Sequence, residues 1–391
     1  MTVARSLYVH IPFCRRRCFY CDFAITTAST TGGQDLQVVY VEALCQEIQL
    51  TAATWGANSL DTVFFGGGTP SLLSVEQVDR ILQAIAQNFG INSGAEISLE
   101  ANPGTVTVES LRGYGASGIN RISLGAQAFQ AHLLDLCGRG HGVPEIWAAV
   151  EAITQAGFAN FSLDLISGLP NQTIDHWQDS LEQAMRLEPS HISVYDLIVE
   201  PGTAFFKRYQ PGDRPLPSEA ATVDMYLLAR TTLQKAGFRH YEISNYAQPG
   251  YECRHNLVYW QNLPFYGVGM GATSYIDGKR SDRPRKLRDY LTMVASQQLP
   301  DSDRLTLAEQ LFETLMQGLR LAEGLELEML QVKFGSDLCE AMLEILTRRE
   351  FCDWVQVGDR LQLVQPQGWL FSDQVIERLY DLVGDTYVLA R

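Results

Sequence analysis

The stretch Tyr8-Val9-His10-Ile11-Pro12-Phe13-Cys14, continued by Arg15-Arg16-Arg17-Cys18-Phe19-Tyr20-Cys21, places three cysteines within eight residues, in the spacing Cys-x3-Cys-x2-Cys. It reads as a short apolar strand followed by a loop. Three thiolates at this spacing can converge on one soft metal centre. A structural zinc site normally has four protein ligands, and no partnering Cys-x2-Cys or His-x3-His pair follows at the usual separation. The spacing therefore favours an iron–sulfur cluster whose fourth iron a small molecule can chelate, with a zinc loop as the weaker alternative.

Length, composition and charge agree with an enzyme-like protein. A chain of 391 residues with 46% hydrophobic residues can bury a large core and should hold one large and one small domain. The formal charge of −15 argues against a phosphate backbone as the main partner. No signal peptide precedes the cysteines and no run of 18 apolar residues occurs, so we expect a cytoplasmic protein without a transmembrane segment. Five further cysteines are scattered singly, as reduced buried thiols are: Cys45, Cys137, Cys253, Cys339 and Cys352.

The chain alternates short β-branched runs with longer amphipathic segments, which predicts a βα architecture. The predicted strands are Leu7–Ile11, Thr62–Phe65, Glu96–Glu100, Arg121–Gly125, Phe161–Ile166 and His191–Leu197. Predicted helices lie between them, over about 35–54, 75–89, 106–117, 144–157 and 173–187. This pattern predicts a full or partial parallel barrel, and an open doubly wound sheet is the main competitor.

Polar residues fall at the carboxyl ends of successive predicted strands. They are the run Gly66-Gly67-Gly68-Thr69-Pro70, then Glu100 and Asn102, Gln127, Asp164 and Asp196. Each has a plausible structural role alone, but packing does not easily explain the whole series. In a parallel barrel that rim binds ligands, whereas an open sheet gathers them at one switch point. The glycines let the backbone approach a ligand and offer N–H groups, which suits the amino and carboxylate ends of an amino acid.

Several motifs together resemble one family. They are Tyr8–Cys14, Gly66–Pro70, Leu124-Gly125-Ala126-Gln127, Asp164-Leu165-Ile166-Ser167-Gly168-Leu169-Pro170 and Glu200-Pro201-Gly202-Thr203. Over nearly its whole length the chain is similar to the oxygen-independent coproporphyrinogen III dehydrogenase family of radical S-adenosylmethionine (SAM) proteins, and within it to the haem chaperone (HemW-type) branch. The expected fold is an α/β partial (βα)6 radical SAM barrel with a C-terminal winged-helix-like α+β domain.

The resemblance assigns a cluster site and a SAM site. It implies that Cys14, Cys18 and Cys21 hold a [4Fe-4S] cluster whose fourth iron SAM chelates. The family's SAM-contacting positions fall on Tyr8, Tyr20, Gly67, Gly68, Thr69, Glu100, Gln127, Arg139 and Asp164. Tyr20 departs from the phenylalanine common in the dehydrogenases, a change that should still permit stacking.

Two features separate the chain from the dehydrogenases of this family. Those enzymes carry a further cysteine two residues after the third, whereas Cys21-Asp22-Phe23 lacks it. They also have an N-terminal extension, whereas the first predicted strand begins within ten residues of the start. Both differences count against coproporphyrinogen decarboxylation by a 5′-deoxyadenosyl radical, which stays the alternative function.

The sequence His255-Asn256-Leu257-Val258-Tyr259-Trp260 reads His-Asn-x-x-Tyr-Trp, which is characteristic of the haem chaperone branch. An imidazole can ligate haem iron, an amide can orient it or a propionate, and two rings supply flat apolar surface. His255, Asn256, Tyr259 and Trp260 are therefore the expected haem contacts, with Cys253 as a second candidate ligand. The structural alternative is a buried core histidine with both nitrogens satisfied.

The predicted domains are a radical SAM core over 1-235, barrel-closing elements with the His-Asn-x-x-Tyr-Trp motif over 236-300, and the winged-helix-like domain over 301-391. A winged helix often binds DNA, but residues 301-391 hold 17 acids against 8 bases and the predicted recognition helix Ser336–Arg348 is not basic. A DNA-binding regulator is therefore not favoured. The expected function is a haem chaperone that passes haem to an acceptor such as a cytochrome or respiratory enzyme. The resemblance suggests a cluster-dependent homodimer and leaves a peripheral membrane contact open.

Overall fold

Six parallel strands form the centre of the protein. The computed structural model describes residues 3–27, 34–210, 212–346, 351 and 353–389. The strands lie side by side in chain order: β1 (Ser6–Ile11), β2 (Leu60–Gly67), β3 (Ile91–Ala101), β4 (Arg121–Gln127), β5 (Phe161–Ser167) and β6 (His191–Asp196). All six predicted strands are present, and the predicted α/β class is confirmed.

Helices connect these strands and cover the outer face of the sheet. They are α1 (Gln34–Trp55), α2 (Val75–Asn88), α3 (Val108–Ser117), α4 (Ala131–Leu136), α5 (Val143–Gln155) and α6 (Ile174–Arg186). Polar side chains fix where several helices begin, because they accept hydrogen bonds from first-turn N–H groups. Ser74 caps α2 and Thr173 caps α6 in this way. The predicted helix bounds hold to within a few residues.

Short elements extend the sheet at both edges. After α7 (Ala204–Arg208) and α8 (Glu219–Lys235), the hairpin β7 (Arg239–Glu242) and β8 (Asn245–Ala247) adds to β6 in antiparallel fashion. After α9 (Arg254–Trp260), strand β9 (Tyr266–Val268) pairs in parallel with β1. A separate hairpin of β10 (Thr273–Ile276) and β11 (Lys279–Asp282) leads to α10 (Leu287–Ala295). Segment 236-300 thus contributes three strands to the barrel sheet.

The C-terminal segment has the helix and wing order that the sequence predicts. Its helices are α11 (Leu307–Gly318), α12 (Leu327–Phe334), α13 (Ser336–Leu346), α14 (Gln367–Leu370) and α15 (Ser372–Leu389). Its strands are β12 (Leu325–Glu326), β13 (Val355–Val357) and β14 (Arg360–Leu363), with β14 in the middle. The predicted recognition helix reached Arg348, which lies outside the described residues together with Cys352.

Two separate apolar clusters lie inside the protein. One joins the buried faces of β1 to β6 with the surrounding helices, and the other joins α11, α13 and α15 with the wing. Their separation supports the domain boundary that we propose near residue 301, and the bounds 1-235, 236-300 and 301-391 stay a prediction. None of the helices in the described ranges is both long enough and apolar enough to cross a bilayer.

Candidate cluster site and ligand cavities

The three cysteines lie on a loop that follows β1. The two-residue strand Phe13–Cys14 pairs with Thr26–Thr27, which ties the two ends of the loop together. Within the loop, the Cys21 N–H donates to the Cys18 carbonyl over 3.2 Å. All three thiols are half-buried and line one cavity of about 500 Å³, here called the rim cavity. The structure therefore brings Cys14, Cys18 and Cys21 to one place.

The donor set in this cavity suits a cluster better than a lone ion. Among the described residues, no three His, Cys, Asp or Glu side chains are close enough to hold one metal ion. Thiolates are the ligands that iron–sulfur clusters take, and ligation requires each thiol to lose its proton. Burial raises the pKa of the Cys14 thiol to about 11 and raises the pKa of the Cys21 thiol, so both are protonated until a metal displaces the proton. Three soft donors facing one open cavity fit a [4Fe-4S] cluster.

Arg139 connects the cysteine loop to the barrel. Its Nη1 donates to Cys18 Sγ over 3.5 Å and to the Tyr20 hydroxyl over 3.3 Å. Its Nη2 donates to the Gly125 carbonyl over 2.8 Å and to Asn102 Oδ1. The Nε atom is buried without a hydrogen-bond partner in the described part of the chain. A cation bonded to a cysteine sulfur stabilises the thiolate form, as cluster ligation requires.

The glycine triplet packs directly against the cysteine loop. A Cβ on Gly68 would lie 2.7 Å from the Phe13 carbonyl oxygen, so only glycine fits there. The Gly68 N–H donates to the Ile11 carbonyl over 2.8 Å, and the Gly67 N–H donates to Glu100 Oε2 over 3.0 Å. The expectation that these two N–H groups are open to a ligand is therefore wrong. Gly68 instead allows the backbone after β2 to pack closely against the backbone of the cysteine loop.

Thr69 joins the triplet to the first cysteine. Its Oγ1 lies 3.6 Å from Cys14 Sγ and accepts a hydrogen bond from Asn102 Nδ2 over 2.8 Å. Gly67, Gly68 and Thr69 all line the rim cavity. The structure thus places the triplet and the cysteines at one site.

Two half-buried carboxyl groups, those of Glu100 and Asp164, lie on β3 and β5. Burial, together with the charge of Asp164, raises the pKa of Glu100 to about 8. Asp164 accepts hydrogen bonds from Ser123 over 3.0 Å and from Ser162 over 3.2 Å, and burial raises its pKa. Both carboxyl groups line the rim cavity. Glu100 is therefore mostly protonated at neutral pH and can donate a hydrogen bond as well as accept one.

Gln127 ends β4 in the left-handed region, with φ 70°. The pairing of β4 with β5 shifts register between Gly125 and Gln127. Such a bulge turns a side chain away from the regular alternation. Gln127 lines the rim cavity with Tyr20 and Arg139, as the resemblance implies.

A second cavity of about 470 Å³, here called the inner cavity, adjoins the rim cavity. Glu100, Asp164 and Tyr195 line both. Tyr8, an expected SAM contact, lines the inner cavity and not the rim cavity. Its hydroxyl lies 3.0 Å from Nδ1 of His10. Of the nine expected SAM positions, eight therefore line the rim cavity, and Tyr8 lines the adjoining inner cavity.

The His-Asn-x-x-Tyr-Trp motif forms α9, whose first turn the Glu96 carboxylate caps. That carboxylate accepts the N–H groups of Arg254 over 3.1 Å and of His255 over 3.0 Å. The His255 ring is buried against Phe64, and its Nδ1 lies 2.7 Å from Thr62 Oγ1. Thr62 precedes Gly67 by five residues on β2, so at about 3.3 Å per residue Thr62 lies about 16 Å along the strand from Gly67.

Both ring nitrogens of His255 have partners, because Nε2 lies 2.8 Å from the Tyr259 hydroxyl. Burial lowers the pKa of His255 to about 3, so the ring is neutral. Asn256 and Tyr259 line the inner cavity with His255, whereas Trp260 lines neither cavity. The Trp260 side chain is instead hydrogen-bonded to Glu242. The structure therefore brings three of the four motif residues together.

Cys253, the second candidate haem ligand, is fully buried beside α9. Its Sγ lies 3.6 Å from Glu96 Oε1. Burial raises the pKa of this thiol to about 12, so it is a neutral donor. Cys253 lines neither cavity, and its geometry is that of a structural residue.

Sequence reasoning missed several residues of the inner cavity. Arg121, Ser123, Ser193 and Tyr195 line it and come from β4 and β6. A signal was present, because polar residues alternate along β4 and β5, at Arg121 and Ser123 and at Ser162 and Asp164. In a strand, alternate residues share a face. This face is the interior of the barrel.

The fold and the cysteine site define a radical SAM protein. Residues 8–184 match the radical SAM superfamily and residues 305–371 match the HemN C-terminal domain. The chain is 44% identical to the heme chaperone HemW of a Synechocystis species over 98% of both chains. It is 37% identical to the heme chaperone HemW of Bacillus subtilis over 85% of this chain and 88% of that one. The chain belongs to the HemW family.

A solved structure agrees with this classification. The coproporphyrinogen III oxidase HemN of Escherichia coli, a radical SAM enzyme, superposes with a TM-score of 0.82 at 26% identity. The match covers 98% of this chain and 90% of that one. The predicted radical SAM barrel with its C-terminal domain is thereby confirmed as the fold.

Proposed function

We propose that this protein is a haem chaperone of the cytoplasm. It holds a [4Fe-4S] cluster with SAM, binds haem, and transfers haem to an acceptor protein such as a cytochrome or a respiratory enzyme. The observation that carries the proposal is the 44% identity, over 98% of both chains, to a protein named heme chaperone HemW. The net charge of −15 does not favour nucleic acid as a partner. A cluster-dependent homodimer is part of the proposal.

The rim cavity is the proposed cluster and SAM site. Cys14, Cys18 and Cys21 would hold the cluster, which supplies a one-electron donor with one iron open to the amino and carboxylate groups of SAM. Arg139 donates a hydrogen bond to Cys18 Sγ and holds the cysteine loop against β4. The remaining SAM contacts are Tyr8, Tyr20, Gly67, Gly68, Thr69, Glu100, Gln127 and Asp164.

The inner cavity is the proposed haem site. Asn256 and Tyr259 contact the ligand there, and His255 becomes an iron ligand only after the Tyr259 hydroxyl leaves Nε2. Trp260 supports this site indirectly, because its hydrogen bond to Glu242 orients the end of α9. Haem binding therefore includes a rearrangement of one side chain.

Anaerobic reconstitution tests the proposal. We expect about four iron atoms per chain, a saturable haem titration, and transfer of the bound haem to an apo-cytochrome. Replacing Cys18 by Ala should abolish the cluster, whereas the matched change at Cys45, a half-buried cysteine away from both cavities, should not. Absence of haem binding by the reconstituted protein would reject the chaperone function.

The second candidate function is oxygen-independent coproporphyrinogen III dehydrogenase. The structural match to E. coli HemN favours it, whereas Asp22-Phe23 in place of a further cysteine does not. An anaerobic assay of the same sample with dithionite, SAM and coproporphyrinogen III decides between the two, because only the dehydrogenase forms protoporphyrinogen.

A further inference from the structure

A permanently charged side chain lines the inner cavity without a bonded anion. Arg121 is the first residue of β4 and is 2% exposed. Its Nε atom has no hydrogen-bond partner among the described residues. An arginine keeps its proton at any pH at which proteins are folded. A buried cation of this kind is costly unless an anion bonds to it.

The nearby carboxylates are bonded to other groups. Glu96 and Asp164 act on Arg121 through their electrostatic field. Glu96 accepts two N–H groups at the start of α9, and Asp164 accepts the hydroxyls of Ser123 and Ser162. Within the described ranges, neither forms an ion pair with the guanidinium at 4 Å or less. The guanidinium of Arg121 therefore has N–H donors that neither of these carboxylates accepts.

A second unpartnered group lies beside it. Ser98 is opposite Arg121 in the register of β3 with β4, and its buried Oγ has no hydrogen-bond partner in the described part of the chain. Ser98 shares the inward face of β3 with Glu100, because the two lie two positions apart on one strand. Ser98 lines neither cavity, so the guanidinium of Arg121 is the group that can meet a ligand, and a carboxylate accepts several of its N–H groups at once.

We propose that Arg121 binds the carboxylate of a ligand that enters the inner cavity. The proposed function supplies such a ligand, because haem carries propionate groups, and the inference therefore rests on that function. The cavity of about 470 Å³ opens to Glu100 and Asp164 at the border with the rim cavity, so a propionate has a route from the cluster side. Arg121 thus gives the inner cavity its preference for acidic ligands.

Two pairs of ligands test the assignment on the full-length, cluster-loaded protein. The first pair is haem and haem dimethyl ester in the same detergent, and the second is SAM and decarboxylated SAM. Arg121→Met removes the charge and keeps the length of the side chain. We expect the variant to lose about 10- to 100-fold of the preference for the acid in the haem pair, the range for a charge-assisted hydrogen bond. The SAM pair is the control and should not change, because the proposed function assigns the SAM carboxylate to the cluster iron.

An Arg121→Met variant that keeps the full wild-type preference for haem over its dimethyl ester overturns the proposal. Arg121→Lys retains the charge and should lose part of the same preference. If the Arg121→Met variant does not fold, an unchanged preference in the Arg121→Lys variant overturns the proposal instead. Arg254→Met, which removes an exposed arginine bonded to the Gly94 carbonyl over 2.9 Å, should change neither preference. If the wild type binds no haem, the proposed function fails; if it binds haem and the dimethyl ester equally well, the proposed function stands and the role of Arg121 fails.

Discussion

The Tyr259 hydroxyl lies 2.8 Å from Nε2 of His255, one helical turn away on α9. This bond occupies the nitrogen that a haem iron would need. Tyr259→Phe should therefore raise haem affinity about 2- to 10-fold, because the imidazole no longer has to give up a hydrogen bond of about 0.5–1.5 kcal/mol. Absorption titrations of the reconstituted protein measure the change.

The matched control for this prediction is Tyr251→Phe, at a tyrosine that is 37% exposed. It should leave haem affinity unchanged. His255→Ala should lower the affinity and alter the Soret spectrum. A His255→Ala variant with wild-type affinity and spectrum would remove the axial ligand role that we propose for this histidine.

Arg139→Met should weaken both the fold and the cluster site. The change leaves the Gly125 carbonyl and Asn102 Oδ1 without their buried donor, at about 1–3 kcal/mol for each unsatisfied group. We expect a lower unfolding free energy in denaturant titrations and less iron per chain after reconstitution. Arg112→Met, at an arginine bonded on the surface to the Gln155 carbonyl, should change neither quantity, and equal losses in both variants would argue against the role of Arg139.

Glu100 should make the stability of the cluster-free protein fall as the pH rises. Burial raises its pKa from 4.5 to about 8, so between these values the folded state keeps a proton that the unfolded state has lost. The stabilisation is complete below pH 4.5 and is lost as the pH rises through about 8, with a slope of at most about 1.4 kcal/mol per pH unit. Denaturant titrations from pH 5 to 9 measure this slope.

The Glu100→Gln variant should lose this contribution to the slope, since an amide does not titrate. Glu109→Gln, on the exposed surface of α3, should keep the wild-type profile. If wild type and Glu100→Gln show the same dependence on pH, the buried carboxyl is not protonated at neutral pH.

A buried ion pair should hold the segment 269–290 against α1. Glu47 accepts bonds from Arg283 Nε over 2.6 Å, from the Tyr290 hydroxyl over 2.8 Å and from the Gly269 N–H over 2.7 Å. Both charged side chains are fully buried, so Glu47→Gln, which leaves the guanidinium without its anion, should cost about 3–5 kcal/mol of unfolding free energy. Thermal and denaturant unfolding measure the loss.

The control for this pair lies on the same helix. Glu42 bonds to Arg80 over 2.7 Å with both side chains about half exposed, so Glu42→Gln should cost at most about 1 kcal/mol. Similar losses at Glu42 and Glu47 would show that burial does not decide the energy of these pairs.

The strands and the cysteine loop could be predicted because their signals are local. Apolar runs of strand length and three cysteines within eight residues are visible in short windows of sequence. The carboxyl-end position of Glu100 followed from the parallel topology, whereas Asp164 is the fourth of the seven residues of β5. These predictions required only that chain order and strand order agree, as they do in the structure.

Contacts between distant segments could not be derived in this way. Arg139 reaches Cys18 across 121 residues of sequence, and the Gly67 N–H finds Glu100 across 33. The direction of Trp260 depends on Glu242, on a different element. The sequence of the six-residue motif does not show that the Tyr259 ring will line the inner cavity while the Trp260 ring will not. Such outcomes depend on packing in three dimensions.

The hairpin of β7 and β8 has a consequence for how the protein behaves in a crowded solution. It ends the nine-stranded sheet, and the C-terminal domain lies along it, with hydrogen bonds from the Ile243 N–H to the Arg320 carbonyl and from the Ala322 N–H to the Tyr241 carbonyl, each over 3.0 Å. An unshielded strand edge is a template for aggregation between copies. A chain shortened before residue 301 should therefore be prone to form β-rich fibrils.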